Sequence, residues 1–399
     1  MIGAFEMYYP VVMSFIWIIG TLFFQYTEHR IKKHGHALED PPAVDVFVAC
    51  YNEEDTIAET VDSLEQQTYS NMQIVLIDDK SSDNTLQILY QLKQKYENIT
   101  VIAQKQNQGK AMALNTAMKQ SKAKYILCTD ADATFEPEAL LHLVETCERD
   151  PKYAAVTGRP LIKNVTNIIT ALQFLEYLTN IDFIKRSQSF FTSRLYTVSG
   201  VLTLFRTSAV RDVGGWDQQA MTEDIDVTWR LYEKGYLVKY QPQSICYIYG
   251  PGTVRGFVHQ RIRWARGGIE VFTKHFKKIP QMAWNQRLLA VDMSASYFWI
   301  FSVSFSFVII FFQYIFEKNL TLNIDIMITY YLITLVFYTI ARILNYGDSR
   351  IKYPFRIMLC LPLFFYFYWL NNIVVTFVGF YHVFDTMQFA AWGDSDRGL

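Results

Sequence analysis

Lys124-Tyr-Ile-Leu-Cys-Thr-Asp-Ala-Asp132 is the stretch that decides how this chain is read. An apolar run of strand length stops at two carboxylates one residue apart, Asp130 and Asp132. A buried strand would deliver both to one point. Oxygen donors placed there suit a hard divalent cation, Mg²⁺ or Mn²⁺, that carries a phosphate-bearing ligand. Aspartates at this spacing also occur in solvated turns that lead into a helix. The company of the pair favours the site: Tyr51-Asn-Glu53 and Asp78-Asp79 lie upstream, Thr222-Glu-Asp224 and Gln260-Arg-Ile-Arg-Trp264 downstream.

Working outward, apolar runs at 44–50, 72–77, 99–103, 125–128 and 154–157 recur every 26 to 29 residues, about the length of a strand plus its crossover helix. The expected fold class is α/β, a Rossmann-like, doubly wound parallel sheet. In such sheets ligands sit at the carboxyl ends of the strands, and each polar motif directly follows a strand, so the polar groups should converge. No GxGxxG and no GxxxxGK[ST] occurs, which leaves a dinucleotide fingerprint and a P-loop unsupported.

With 399 residues, half of them apolar and 16% aromatic, the chain is long for one domain and greasy for a purely soluble one. A net charge of −1 argues against a nucleic-acid partner, which needs a basic excess. The five cysteines are odd in number and widely spaced, so neither a disulfide framework nor a zinc site is indicated. Residues 8–26 carry no charge and read as a retained anchor. Glu6 precedes this run and His29-Arg-Ile-Lys-Lys33 follows it, which puts the N-terminus outside and the following domain in the cytosol. Runs at 294–316 and 326–344 are also of membrane length, joined by a short acidic loop and followed by Arg350, Lys352 and Arg356. The run 358–384 is long enough to span, yet Pro362 and Asn371-Asn372 interrupt it, so a spanning and an interfacial course both stay open. The expected organisation is an anchor at 1–28, a catalytic domain at 40–254, amphipathic interface helices at 255–285, transmembrane or interfacial helices at 286–385, and a tail at 386–399.

Within the domain, Tyr51 offers an aromatic face to a base and Glu53 an acceptor for ribose hydroxyls. Asp79 can accept from a pyrimidine N–H, since a second acid beside Asp78 gains nothing as a helix cap. Asn52, Ser82 and Asp83 read better as caps. Lys110, ahead of a helix, is either a point charge for a diphosphate or a solvated surface lysine. Glu223 and Asp224 open a helix whose dipole welcomes acids, and Thr222 suits its cap. A carboxylate there can also take a proton from an acceptor hydroxyl. In 255–276, residues Val258, Ile262, Ala265, Ile269, Phe272 and Phe276 share one helical face with basic residues elsewhere, as in a bilayer-surface helix kinked at Gly267-Gly268. Arg263 suits a diphosphate and Trp264 a sugar ring, with membrane seating as the alternative for both.

Taken in order, Tyr51-Asn-Glu53, Asp78-Asp79, Thr129-Asp-Ala-Asp132, Thr222-Glu-Asp224 and Gln260-Arg-Ile-Arg-Trp264 resemble the processive inverting family 2 glycosyltransferases, the cellulose, chitin, hyaluronan and poly-N-acetylglucosamine synthases. The resemblance implies a GT-A catalytic domain fused to transmembrane and interfacial helices. It implies uridine contacts from Tyr51, Glu53 and Asp79, a diphosphate and metal site at Asp130 and Asp132, and Asp224 as general base with Glu223 beside it. Gly200, Gln260 and Trp264 fall to the acceptor and Arg263 to the diphosphate. One departure is Lys80, where glycine is usual after the acid pair.

Ala49-Cys-Tyr-Asn-Glu53, Ile184-Lys-Arg-Ser-Gln188, Ser199-Gly-Val-Leu-Thr-Leu-Phe205 and Val213-Gly-Gly-Trp-Asp217 resemble the bacterial poly-N-acetylglucosamine branch. That implies a UDP-N-acetylglucosamine donor, a growing β-1,6-linked polysaccharide acceptor, a bacterial inner-membrane location among lipids and a small accessory membrane subunit. Another β-glycan synthase, a lipid-carrier sugar transferase and a non-catalytic regulatory subunit are the alternatives. The closing Trp392-Gly-Asp-Ser-Asp-Arg397 resembles a gating segment, which would require a cytosolic tail and an interfacial course for 358–384.

Overall fold

The computed structural model describes residues 2–33, 38, 40–317 and 324–383; the gating segment lies outside them. Helix α1 (Ile2–Lys33) leads into an alternating series: β1 (Val44–Cys50), α2 (Ile57–Glu65), β2 (Met72–Asp78), α3 (Thr85–Lys95), β3 (Ile99–Ala103), α4 (Lys110–Gln120) and β4 (Tyr125–Asp130). Then follow β5 (Thr134–Phe135), α5 (Ala139–Glu148), β6 (Tyr153–Ile162), α6 (Ile168–Glu176), α7 (Asp182–Thr192), β7 (Thr203–Arg206), α8 (Thr207–Asp212), α9 (Glu223–Glu233), β8 (Leu237–Ile248) and α10 (Val254–His275). Three long helices close the series: α11 (Trp284–Glu317), α12 (Ile324–Leu344) and α13 (Phe355–Val383).

One sheet runs β3-β2-β1-β4-β7-β6-β8-β5. Its first four strands are parallel, as the repeat spacing requires. The all-parallel expectation fails beyond β4: β7 runs antiparallel to both β4 and β6, and β5 antiparallel to β8. The sheet is therefore mixed. Strand β7 has only four residues, and the middle of β8 carries Lys239, Gln241, Gln243 and Ser244, so neither stands out as an apolar run. Side chains of β1 alternate between two buried faces, Val44, Val46 and Val48 toward α2, α3 and α5, Phe47 and Ala49 toward α4 and α9. Each such fully buried aliphatic contributes about 1.5–3 kcal/mol, which holds the strand ends, and hence the site, in register.

Strand order reverses at β1, which has β2 on one side and β4 on the other, and Ala49 lies level with Asp130 across that pair. Polar residues after these strands thus meet at one crevice. Among the described residues, four helices are long and apolar enough to cross a membrane: Ala4–Arg30, Trp284–Phe316, Met327–Leu344 and Phe355–Tyr381. Neither Pro362 nor the asparagine pair breaks α13. Helix α10 also runs without interruption through Gly267-Gly268. Its buried residues include Phe257, Arg261, Gly267, Val271 and His275, and of the expected apolar stripe Ile269 alone is fully buried while Phe276 is exposed. Tertiary contacts, rather than hydropathy, chose the inward face. All five cysteines are free and buried.

Candidate active site

A cavity of about 840 Å³ opens at the carboxyl ends of β1 and β4. Tyr51, Glu53, Lys110, Asp130, Asp132, Gly200, Glu223, Asp224, Gln260, Arg263 and Trp264 all line it. Residues more than two hundred positions apart, Tyr51 and Trp264, therefore share one chamber, as their order after the strands requires. The cavity continues between α11 and α13, past Ser296, Tyr297, Asn372 and Thr376.

Asp79 departs from this pattern. It is 0% exposed and does not line the cavity. Its carboxylate accepts from the backbone N–H groups of Gln108 at 3.0 Å and Gly109 at 2.7 Å. The premise that a second acid gains nothing as a cap is thus corrected: Asp78 ends β2, and Asp79 ties down the loop before α4. There Gly109, at φ +82°, turns the chain so that Lys110 opens the helix against the cavity. The residues that precede α2 and α3 are Thr56 and Asn84, so Asn52 and Ser82 do not cap these helices: Asn52 Oδ1 accepts from Ser82 N–H at 2.9 Å and Asp83 Oδ2 from Glu54 N–H at 3.2 Å, which ties the two loops together, while Asp83 Oδ1 also accepts from the Thr85 N–H that opens α3 at 3.0 Å. Lys80 adopts φ +64°, the backbone state that explains glycine at this place in the family.

Lys110 is not a surface lysine. Its ammonium donates to Asp130 Oδ1, donates to the Gly200 carbonyl at 3.2 Å and stands 3.6 Å from Glu223. Burial alone would lower its pKa, but Asp130, Glu223 and Asp224 outweigh that and hold it well above the usual lysine range. Gly200 leaves the room this requires, because a β-carbon on it would lie 3.1 Å from Asp224 Oδ2 and 3.3 Å from Lys110 Nζ. Burial, and next the Glu223 charge, push the Asp224 carboxyl up to about 7, against the lowering effect of Lys110. A carboxyl poised there can accept a proton near neutrality. Thr222 precedes α9 but makes no capping hydrogen bond, and its buried Oγ1 has no partner among the described residues.

Asp130 and Asp132 offer oxygen donors alone, and no group of three acidic, histidine or cysteine side chains among the described residues could hold a metal. Two carboxylates with the remaining positions left to phosphate oxygens and water is the donor set of a nucleotide-bound hard cation, so the residues fit Mg²⁺ or Mn²⁺. The Lys110 ammonium held by Asp130 shows that this carboxylate already attracts positive charge.

Sequence reading missed the partner of the Gln260 to Trp264 segment. Arg261 is buried and donates to Glu176 at 2.6 Å, with its guanidinium 4.1 Å from the Trp264 ring centroid. The ion pair and the stacked ring fix the segment against α6. Asp226 was missed too: fully buried, it accepts from Arg230 at 2.7 Å and from Lys274 at 2.6 Å, which fastens α9 to α10. Its place in an apolar stretch, Ile225-Asp-Val227, was the available signal.

Such a mixed sheet, with carboxylates at the β4 end and an acid pair opening α9, defines a nucleotide-sugar transferase of the GT-A type. A model for glycosyl transferase family 2 matches residues 45–214, and the chain belongs to glycosyltransferase family 2. It is 39% identical over 304 residues to the poly-beta-1,6-N-acetyl-D-glucosamine synthase of Staphylococcus aureus (strain MSSA476), across 75% of this chain and 73% of that one. It is 33% identical over 411 residues to the synthase of the same name from Staphylococcus epidermidis, across 99% of this chain and 98% of that one. In fold it is similar to the mannosyltransferase PcManGT from Pyrobaculum calidifontis, solved with GDP-Man and Mn²⁺, at a TM-score of 0.61 and 19% identity over 96% of this chain and 99% of that one.

Proposed function

We propose that this chain is a processive, inverting synthase that polymerises N-acetylglucosamine from UDP-N-acetylglucosamine into a β-1,6-linked polysaccharide. The observation that carries the reading is the gathering of Asp224, Lys110, Asp130, Arg263 and Trp264 around one cavity, in a chain that aligns end to end with a synthase of that name.

Tyr51 and Glu53 hold the base and ribose, while Asp79 fixes the loop that presents Lys110. Lys110 and Arg263 receive the diphosphate. Asp224 takes the proton from the acceptor 6-hydroxyl as that oxygen bonds to the anomeric carbon from the face opposite UDP, whose bond to the sugar breaks. Glu223 acts through its charge, which keeps Asp224 basic enough for the task. Asp130 and Asp132 would hold a divalent cation, which would supply charge neutralisation for the departing diphosphate. Gly200, Gln260 and Trp264 line the acceptor side.

The catalytic domain faces the cytosol, α1, α11 and α12 cross the bacterial inner membrane, and α13 lies along the interface. Support for that course comes from both ends of α13: Ile357 and Leu361 pack in one cluster with Leu161 and Ile245 of the sheet, and Gly379 packs on Ala265 and Arg266 of α10. A helix leaving for the far side of a bilayer would lose one of these contacts. Membrane lipids and a small accessory membrane subunit are the remaining partners. The extension of the cavity between α11 and α13 favours a polymer product over transfer of one sugar to a lipid.

Membranes containing the protein, given labelled UDP-N-acetylglucosamine, should release UDP and form polymer that a β-1,6-specific hexosaminidase digests. Lipid-linked monosaccharide, or no product with any UDP-sugar, would overturn the reading.

A further inference from the structure

Helix α7 carries two adjacent basic residues in the buried zone between the sheet and α1, and the protein treats them differently. Arg186 is committed, its Nε donating to Asp182 Oδ2 at 2.9 Å and a terminal nitrogen to Gln25 Oε1 of α1 at 2.8 Å. Asp182 is saturated as well: Arg159 stands 3.3 Å from the same oxygen, and the Tyr240 hydroxyl donates to the other at 2.7 Å. Nothing of Asp182 is left for Lys185. Among the described residues Lys185 makes no hydrogen bond and no ion pair, and the nearest ring, Tyr240, lies 5.8 Å from its Nζ.

Lys185 is nevertheless 6% exposed, and the surface it retains lines the catalytic cavity. An ammonium enclosed in this way without acceptors is costly, and its burial brings it down to about 8, with Asp224 the charge that opposes this most. Evolution tolerates such a group chiefly where a ligand completes it.

The backbone gives a second, independent pointer. Between α6 and α7 the helix widens into a π-helical turn, Tyr177–Ile181, a feature that often marks functional sites. Tyr177 and Ile181 reach the cavity from this widened segment, Glu176 and Lys185 from the helices on either side of it. Glu176 is taken by Arg261, so Lys185 alone of the four offers an uncommitted charge. Lys110, paired with Asp130, and Arg263 also line the cavity and are the cations assigned to the diphosphate above. Tyr177 and Ile181, which share the face of Lys185, suit a sugar ring rather than a phosphate.

We propose that Lys185 is an acceptor-binding residue whose ammonium donates hydrogen bonds to oxygens of the terminal sugar of the acceptor, beside the hydroxyl that Asp224 deprotonates. The assignment rests on the synthase reading above, and its test keeps the two apart.

Full-length protein in lipid nanodiscs, as wild type, Lys185→Met and Lys185→Arg, is assayed for UDP release with soluble β-1,6-linked N-acetylglucosamine oligosaccharides as acceptor. UDP affinity is measured on the same samples by calorimetry. Lys185→Met should raise the acceptor KM about tenfold or more and leave UDP affinity and donor KM within about twofold, with Lys185→Arg recovering part of the loss. An unchanged acceptor KM, or a parallel loss of UDP affinity, would overturn the assignment. Should Lys185→Met fail to fold, Lys185→Gln against Lys185→Arg decides by the same ratio. A wild type that neither binds UDP nor releases it sinks the synthase reading instead.

Discussion

Gly267 of α10 lies directly against the Thr222 side chain, so closely that a β-carbon on Gly267 would collide with both Cγ2 and Oγ1 of Thr222. Helix α10 thereby sets the position of the residue that precedes Glu223 and Asp224. Gly267→Ala should cost about 1–3 kcal/mol of stability through overpacking. It should also lower turnover by about tenfold or more through displacement of Asp224, with UDP affinity kept. Adding Thr222→Ala, which removes the two nearest atoms and leaves only the Thr222 β-carbon at 2.9 Å, should recover part of the lost unfolding temperature.

Asp224 must be ionised to act as a base, so kcat/KM should rise with pH through about 7. Glu223→Gln removes the like charge and should move that acidic limb to lower pH. Asp224→Asn should lower turnover about a thousandfold and leave UDP binding intact. The linkage sign follows from the raised pKa: the folded state holds this proton more tightly than the unfolded one. Stability from this group therefore falls as pH rises from about 4, the unfolded value, toward about 7. Asp224→Asn should unfold at the same temperature as wild type or higher at neutral pH.

Lys110→Met leaves Asp130, Glu223 and Asp224 without their shared counter-charge. Turnover should fall by about a hundredfold or more, in keeping with the loss of a donor to developing negative charge. The acidic limb should move to higher pH, opposite to Glu223→Gln, and pH profiles of the two variants separate a charge effect from general disruption.

Glu176 and Arg261 form a largely enclosed pair, with side chains 11% and 5% exposed. Removing one partner strands a buried charge, so Glu176→Gln should cost about 3–5 kcal/mol. Glu176→Leu together with Arg261→Met should be milder than either change alone, as a double-mutant cycle of thermal unfolding would read.

Lys80 carries a positive φ without the freedom of glycine. Lys80→Gly should stabilise the fold by about 1 kcal/mol with no change in kcat, measured by denaturant unfolding and UDP release.

Much of this was legible along the chain because it depends on neighbours in sequence. The strands Val44–Cys50 and Ile99–Ala103 follow from apolar runs with turn residues at their ends, and the four long helices from run length alone. The Asp130 and Asp132 pair sits where a parallel strand ends, and strand ends gather ligands by topology. Sequence by itself thus determined the kind of sheet around β1, the order of the motifs and their meeting at one crevice.

What it could not decide was which charged groups face each other across the interior. Asp79 became a loop clamp, Arg261 found Glu176, Asp226 bound α9 to α10, and Lys185 was left without an acceptor. Local pattern registers how apolar a position is, whereas the cost of an enclosed charge depends on partners that folding brings from far along the chain. Only the tertiary structure supplies those partners, and only it decided the antiparallel half of the sheet and the inward face of α10.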